Sequence, residues 1–220
     1  MKKLHKIIAA SLLASAATTG SNVVLAESSA TANIAMTSNY IFRGVTQTND
    51  ISAVSGGVDY AHESGVYVGV WQSSLSSAGN NYEQDLYAGY GFKAGPVDLD
   101  VGYIKYMYPV TSGSNLDEVY LNASFDKFSA GVAVNTMKDG GVKTGDIYLY
   151  AGAEFEVKKD VNLGLTVGNY DYASGTGTDY THYQLALSKG DFTIALDKNS
   201  NAGTAGNARL SVSWSQSFDL

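Results

Sequence analysis

Residues 146–168 read DIYLYAGAEFEVKKDVNLGLTVG. Ile147, Leu149, Ala151, Ala153, Phe155 and Val157 alternate with Tyr148, Tyr150, Gly152, Glu154 and Glu156. Past a polar triplet at 158–160, Val161, Leu163, Leu165 and Val167 alternate with Asn162, Gly164, Thr166 and Gly168. A period of two sends successive side chains to opposite faces of a strand. The stretch therefore reads as two strands joined by a tight turn, each with one apolar and one polar face.

The same period runs outward in both directions. Val97, Leu99, Val101 and Tyr103 oppose Asp98, Asp100 and Gly102; Val119, Leu121, Ala123 and Phe125 oppose Glu118, Tyr120, Asn122 and Ser124. At the C-terminus, Leu210, Val212, Trp214, Phe218 and Leu220 oppose Arg209, Ser211, Ser213, Ser215 and Ser217. Twelve such segments are expected, near 31–43, 51–61, 65–73, 82–93, 97–108, 117–126, 128–137, 145–157, 161–172, 179–188, 191–199 and 207–220. Five links between them are tight (HES, AGP, DK, KKD, KGD) and six are longer and polar, of roughly 6–8 residues. The two kinds alternate along the chain, as in an up-and-down antiparallel barrel with its tight turns at one end.

Which face is wet decides the class. A soluble sandwich or a lipocalin-like barrel also alternates, but buries its apolar face. Eight strands close around a lumen that side chains fill or a single ligand occupies; twelve enclose more. Here the polar face carries the acids and many of the glycines, so it is placed inside, and the apolar face needs lipid. The expected fold is all-β: a transmembrane up-and-down barrel of about 12 strands over 27–220, whose last strand closes on the first and leaves no exposed edge.

The first 26 residues read as a cleaved signal peptide: Lys2, Lys3 and Lys6, an apolar core over 7–17, and a small-residue cut site ending at Ala26. The leader takes three of the 14 Lys and Arg and none of the 21 acids, leaving 11 against 21, a net charge of −10. So acidic a chain, with no basic cluster, is unsuited to nucleic acid. The absence of cysteine excludes disulfides and thiolate metal or redox chemistry. The remaining composition, 24 glycines and 16 tyrosines against only Pro96 and Pro109, suits many long strands.

Residues 38–50, SNYIFRGVTQTND, stand out. Read as the end of the first strand, they put Tyr40 and Phe42 on the lipid side at an aromatic girdle, and Arg43 in the lumen near the outer mouth. Ser38, Tyr40, Phe42, Arg43, Gly44, Thr46 and Gln47 resemble the Ser-x-Tyr-x-Phe/Trp-Arg-Gly-x-Ser/Thr-Gln-Thr opening of the TorF-type porin family. The later GGVDYAHESGVYVGVWQSS and the terminal SFDL are similar too. The resemblance implies an outer-membrane barrel with pore activity and no particular solute. Leu220 stands where outer-membrane barrels often end in Phe, with Phe218 on the same face.

The expected function is passive diffusion of small hydrophilic solutes across a Gram-negative outer membrane, with a mild cation preference, by a monomeric or weakly oligomeric barrel. Pore-lining candidates are Arg43, Asp59, Asp85, Asp98, Asp100, Glu118, Glu154, Glu156, Asp197 and Arg209, with Lys93; rings of carboxylates favour cations in a confined pore. The same residues could instead be hydrated wall groups or local ion pairs. Tyr67, Tyr87, Tyr106, Tyr148, Tyr150 and Tyr170 are expected inside, where they could plug the lumen or line a sugar-like path. The partners are outer-membrane lipids, the assembly machinery and the solutes. Two alternatives remain: a plugged structural or surface-interaction barrel, and an outer-membrane lipid hydrolase. The hydrolase needs an activated serine, and the mature chain offers only His62 and His182. No cofactor or metal motif is present.

Overall fold

The computed structural model describes residues 28–76, 82–111, 113–173, 175 and 177–220. The leader expected over 1–26 lies outside them. The strands are β1 (Ser29–Thr37), β2 (Ile41–Phe42), β3 (Val45–Thr46), β4 (Ala53–Ala61), β5 (Val66–Ser74), β6 (Tyr82–Ala94) and β7 (Val97–Met107). They continue as β8 (Leu116–Phe125), β9 (Phe128–Lys138), β10 (Ile147–Lys158), β11 (Val161–Asp171), β12 (Tyr180–Lys189), β13 (Phe192–Asn199) and β14 (Arg209–Asp219). β1 and β4–β14 form one closed antiparallel barrel of twelve strands, and β2–β3 pair separately. Closure is made by β14 on β1, from Thr31 opposite Asp219 to Thr37 opposite Ser213. No helix among the described residues is long and apolar enough to cross a membrane; the crossing elements here are strands.

The faces follow the alternation. Val58, Val68, Leu86, Val101, Leu121, Leu149, Leu165, Leu185, Leu196 and Val212 all stand exposed on the outer wall. In water such a belt would forfeit about 25 cal/mol per Å² of apolar surface, and it far exceeds the patches soluble monomers leave uncovered. In a bilayer the same belt has its solvent.

Inside, glycine and tyrosine are complementary. Tyr67 lies opposite Gly89 and Tyr87 opposite Gly69 across β5 and β6; Tyr120 faces Gly102, Tyr150 faces Gly131, and His182 faces Gly168. Each ring lies across its glycine, so a Cβ there would collide with it. Cross-strand partners directly opposite are close enough for an aromatic ring to cover a bare backbone, and this pairing accounts for the abundance of both residues.

Eleven of the expected segments agree with the strands to within two residues. The first does not. β1 ends at Thr37 rather than 43, and the link before β4 runs over 38–52, twice the expected length. Tyr40 and Phe42 do not meet lipid at a girdle. Tyr40 is buried against Ala53 and Leu75, and Phe42 packs inside the barrel against the cluster of Tyr87, Ile104, Tyr106, Tyr120 and Ala133. The reason is local: Tyr40, Ile41 and Phe42 are three large apolar residues in succession, so no two-sided strand can send them all to lipid.

Candidate functional site

The first long link folds back into the barrel as a hairpin. Ile41 pairs with Thr46 and Phe42 with Val45, leaving Arg43 and Gly44 as a two-residue turn with φ of 48° and 78°. Positive φ at both positions is what a tight hairpin of the I′ kind requires. Gly44 takes it freely, and it also has no room for a side chain: a Cβ would run into His182. Arg43 takes it at a cost of about 1–2 kcal/mol, so its contacts must hold it there.

Those contacts are extensive. Arg43 donates from both terminal nitrogens to Glu118 of β8, at 2.8 Å to Oε1 and 2.7 Å to Oε2, and the two side chains are only 11% and 3% exposed. The guanidinium carbon lies 4.2 Å from the Tyr148 ring centroid, 4.6 Å from Phe42 and 5.6 Å from Tyr170. A desolvated cation over aromatic faces gains up to about 2 kcal/mol, and a bidentate arginine–carboxylate pair fixes orientation as well. Asn199 of β13 donates to the Gly44 carbonyl at 2.6 Å. The tip thus touches β8, β10, β11, β12 and β13, five of the barrel's twelve strands.

The rest of the segment is built to carry that tip. Tyr40 Oη donates to Glu83 at 2.9 Å, and its ring meets Trp71 edge-on at 5.7 Å. Phe42 meets Tyr106 edge-on at 5.9 Å, and Tyr106 Oη donates to Glu118 at 3.2 Å. Asn39 Oδ1 accepts from Thr46 at 2.6 Å and Thr48 at 3.1 Å, while its amide donates to Asp50 at 2.8 Å. Gln47 N donates to the Tyr40 carbonyl at 2.7 Å. Ser38 and Val212 bond each other's backbone region, Ser38 N to the Val212 carbonyl and Val212 N to Ser38 Oγ, both at 2.9 Å. Every position of the opening motif therefore has a structural task within one hairpin.

The other candidates are dispersed around the wall. Asp59 accepts from Tyr87 and from Asn33. Asp100 accepts from Tyr67 at 2.7 Å and Asn122 at 3.2 Å, and the Tyr67 and Tyr120 hydroxyls bond each other. Asp197 accepts from Gln184 at 2.9 Å. Asp98 pairs with Lys93 at 2.6 Å, beside the short turn joining β6 and β7. Glu156 Oε1 accepts from the Asp160 N–H and caps the β10–β11 turn, away from the hairpin. Glu154 sits further into the lumen on the same face of β10. Arg209 is at the long-link end, donating to Asp50 at 2.6 Å and to the carbonyls of Thr204, Ala205 and Asn207. Asp85 is fully buried, and among the described residues neither of its carboxylate oxygens has a hydrogen-bond partner. It lies near Glu83 and Glu118.

The constellation that matters is thus Arg43, Glu118, Glu83 and Asp85 with Tyr40, Tyr106, Tyr148, Tyr170 and Asn199. Sequence reading placed Arg43, Asp85, Glu118 and most of the tyrosines inside, but did not bring them together. It missed Glu83 and Asn199 altogether. The available signal was the Phe-Arg-Gly-Val tetrad flanked by Ser, Asn, Thr and Gln, which is a hairpin turn between polar tethers.

No group of three metal-binding side chains occurs among the described residues. His182 Nε2 and Tyr148 Oη are 2.8 Å apart in the wall. His62 Nδ1 lies 2.9 Å from Ser64 Oγ in an exposed tight turn, where it also accepts from the Ser64 N–H at 3.1 Å.

A closed antiparallel barrel with a lipid-facing apolar belt and a polar, hairpin-bearing interior defines the class: a porin-like outer-membrane β-barrel. The chain belongs to the family described as bacterial protein of unknown function, Gcw_chp, whose model matches residues 24–205. The solved structure of the KdgM porin is similar, with a TM-score of 0.55 and 10% identity over 86% of this chain and 99% of that one. KdgM in complex with disordered oligogalacturonate superposes with a TM-score of 0.52 at 10% identity, over 87% of this chain and 99% of that one. A membrane protein from work on in-meso crystallization reaches 0.56 at 13% identity, covering 87% of this chain and 83% of that one. At such identities the likeness concerns the fold. No curated protein matches the sequence.

Proposed function

We propose that the protein is an outer-membrane porin for small hydrophilic solutes, exported by its leader and narrowed by the hairpin that the first long link folds into the lumen. The observation that carries this reading is the contrast between the barrel's two faces, an apolar outer wall around an interior of carboxylates, phenols and amides. The resemblance of the opening motif to TorF-type porins supports it. Long links at one end and tight turns at the other orient the hairpin's root toward the cell exterior. In this reading β14, ending in Phe218 and Leu220, is the strand the assembly machinery meets.

Selectivity follows from the lining. Glu83, Asp85, Asp59, Asp100, Glu118 and Asp197 outnumber Arg43, Lys93 and Arg209, so the pore prefers cations. Oligogalacturonate, seen with KdgM, is a polyanion, and this lining is of the wrong sign for it. Most of these carboxylates are held by phenols and amides rather than by cations.

A second reading has a specific observation in its favour: the hairpin tip is fastened from five strands, as a permanent plug would be. Conductance distinguishes the two. The mature protein, refolded and checked by heat-modifiable gel migration, should give small discrete steps in planar bilayers with a reversal potential on the cation side. Asp98→Asn with Asp100→Asn should weaken that preference, and Arg43→Ala should enlarge the steps. A folded barrel that stays silent with and without Arg43 would favour the plug.

A further inference from the structure

The Arg43 guanidinium occupies what has the form of a receptor. A carboxylate grips it with two parallel hydrogen bonds of 2.7–2.8 Å, two half-buried tyrosines present their faces to it at 4.2 and 5.6 Å, and the ion pair itself is largely screened from water. All three elements belong to the barrel wall, on β8, β10 and β11, whereas the cation belongs to a link of 15 residues, 38–52. A fourth element takes no hydrogen bond from the hairpin. Asp85 of β6 is fully buried with both oxygens unbonded among the described residues, across Tyr106 from Glu118: Asp85 pairs with Tyr106 in register, and Tyr106 donates to Glu118. A buried carboxylate without a partner is costly, and a second cationic group beside it would remove that cost.

We propose that this wall is a binding site for small organic cations bearing a guanidinium or primary ammonium group, and that Arg43 is its tethered internal occupant. Glu118, Tyr148 and Tyr170 bind the first cationic group, and Asp85 receives a second one when the solute has it. A free cation and Arg43 compete for the same carboxylate, so solute binding and hairpin withdrawal are one equilibrium. A tethered competitor acts at an effective concentration of order millimolar. The site therefore answers to solutes abundant enough to compete at that level. The inference rests on the porin reading only in requiring that solutes enter the lumen.

The test measures binding rather than current, so a silent channel and an absent site remain distinguishable. Refolded Arg43→Ala barrel in detergent micelles, its fold checked by heat-modifiable migration, is titrated calorimetrically with methylguanidinium, with agmatine, and with neutral methylurea. Methylguanidinium should bind and methylurea should not, and adding Glu118→Gln should abolish binding. Agmatine, with two cationic ends, should bind at least about tenfold tighter, and Asp85→Asn should remove that gain. A second measurement keeps Arg43 and needs no vacated site. Trp71 reports the hairpin through its edge contact with Tyr40, and Trp214→Phe leaves it as the only tryptophan. Agmatine should change its fluorescence saturably, at a concentration at least about tenfold above that needed for Arg43→Ala. A folded Arg43→Ala barrel that ignores methylguanidinium, or binds methylurea equally, overturns the site. Equal affinity for agmatine and methylguanidinium removes Asp85 from it. Unchanged Trp71 fluorescence under saturating agmatine overturns the competition.

Discussion

Arg43 and Glu118 stand 75 residues apart in sequence and share two parallel hydrogen bonds inside the barrel. One is the tip of a hairpin and the other belongs to the wall, so this single ion pair closes the first long link onto β8. Both are nearly removed from water, which makes the pair sensitive to the loss of either partner. A buried pair broken from one side costs about 3–5 kcal/mol, mostly because the survivor is left charged and alone. Arg43→Ala and Glu118→Ala should each lower unfolding stability in urea by that order. The double variant should lose clearly less than the two single losses together. Strict additivity would mean that the two groups do not act on each other.

Gly44 is held by two separate demands, a left-handed backbone and the absence of a side chain beside His182. Gly44→Ala should therefore loosen the hairpin by about 1–3 kcal/mol. The nearest obstacle is the His182 Cβ itself, so adding His182→Gly should recover the steric part and leave the backbone part, about 1 kcal/mol. The readout is the rate at which a protease added from the long-link side cuts within 38–52. An unchanged rate in Gly44→Ala would argue against a tightly fixed tip.

The glycine–tyrosine pairs make a third prediction. Gly102→Ala puts a methyl group into the space that Tyr120 fills, and overpacking of this kind costs about 1–3 kcal/mol. Tyr120→Phe keeps the ring over Gly102 and loses only its hydrogen bond to Tyr67. Urea unfolding should rank Gly102→Ala as the more damaging. The opposite order would place the stabilisation in the hydroxyl rather than in the ring's coverage of the backbone.

Leu121 stands in the middle of β8, on the outer wall between Val101 and Val132. An arginine there should cost about 2–4 kcal/mol in a bilayer, as at the midplane of other transmembrane barrels. Thr166→Arg, on the lumen face of β11, should cost far less. Refolding yield into lipid vesicles compares them, and equal penalties would contradict the assignment of faces.

The barrel was legible because alternation is a local property. Along 146–168 each residue's polarity already states which side it takes, and eleven strands could be located to within two residues without knowing any partner. Tight turns such as 158–160, set against long polar links, then determined up-and-down order. The same rule failed at 38–50. Tyr40, Ile41 and Phe42 do not alternate, and the strand reading was carried through them toward lipid.

Local polarity alone defines an all-β chain with an apolar outside and a polar inside, and it marks Arg43, Asp85 and Glu118 as inward. The return of residues 38–52 into the lumen, the meeting of Arg43 with Glu118 between Tyr148 and Tyr170, and the burial of Asp85 beside them follow from the folded barrel alone. The physical reason is range. Strand faces are set by neighbours one and two residues away, whereas the hairpin's position depends on partners brought from β6, β8, β10, β11 and β13 by closure of the barrel. Their separations of up to 155 residues leave no periodic trace in the chain.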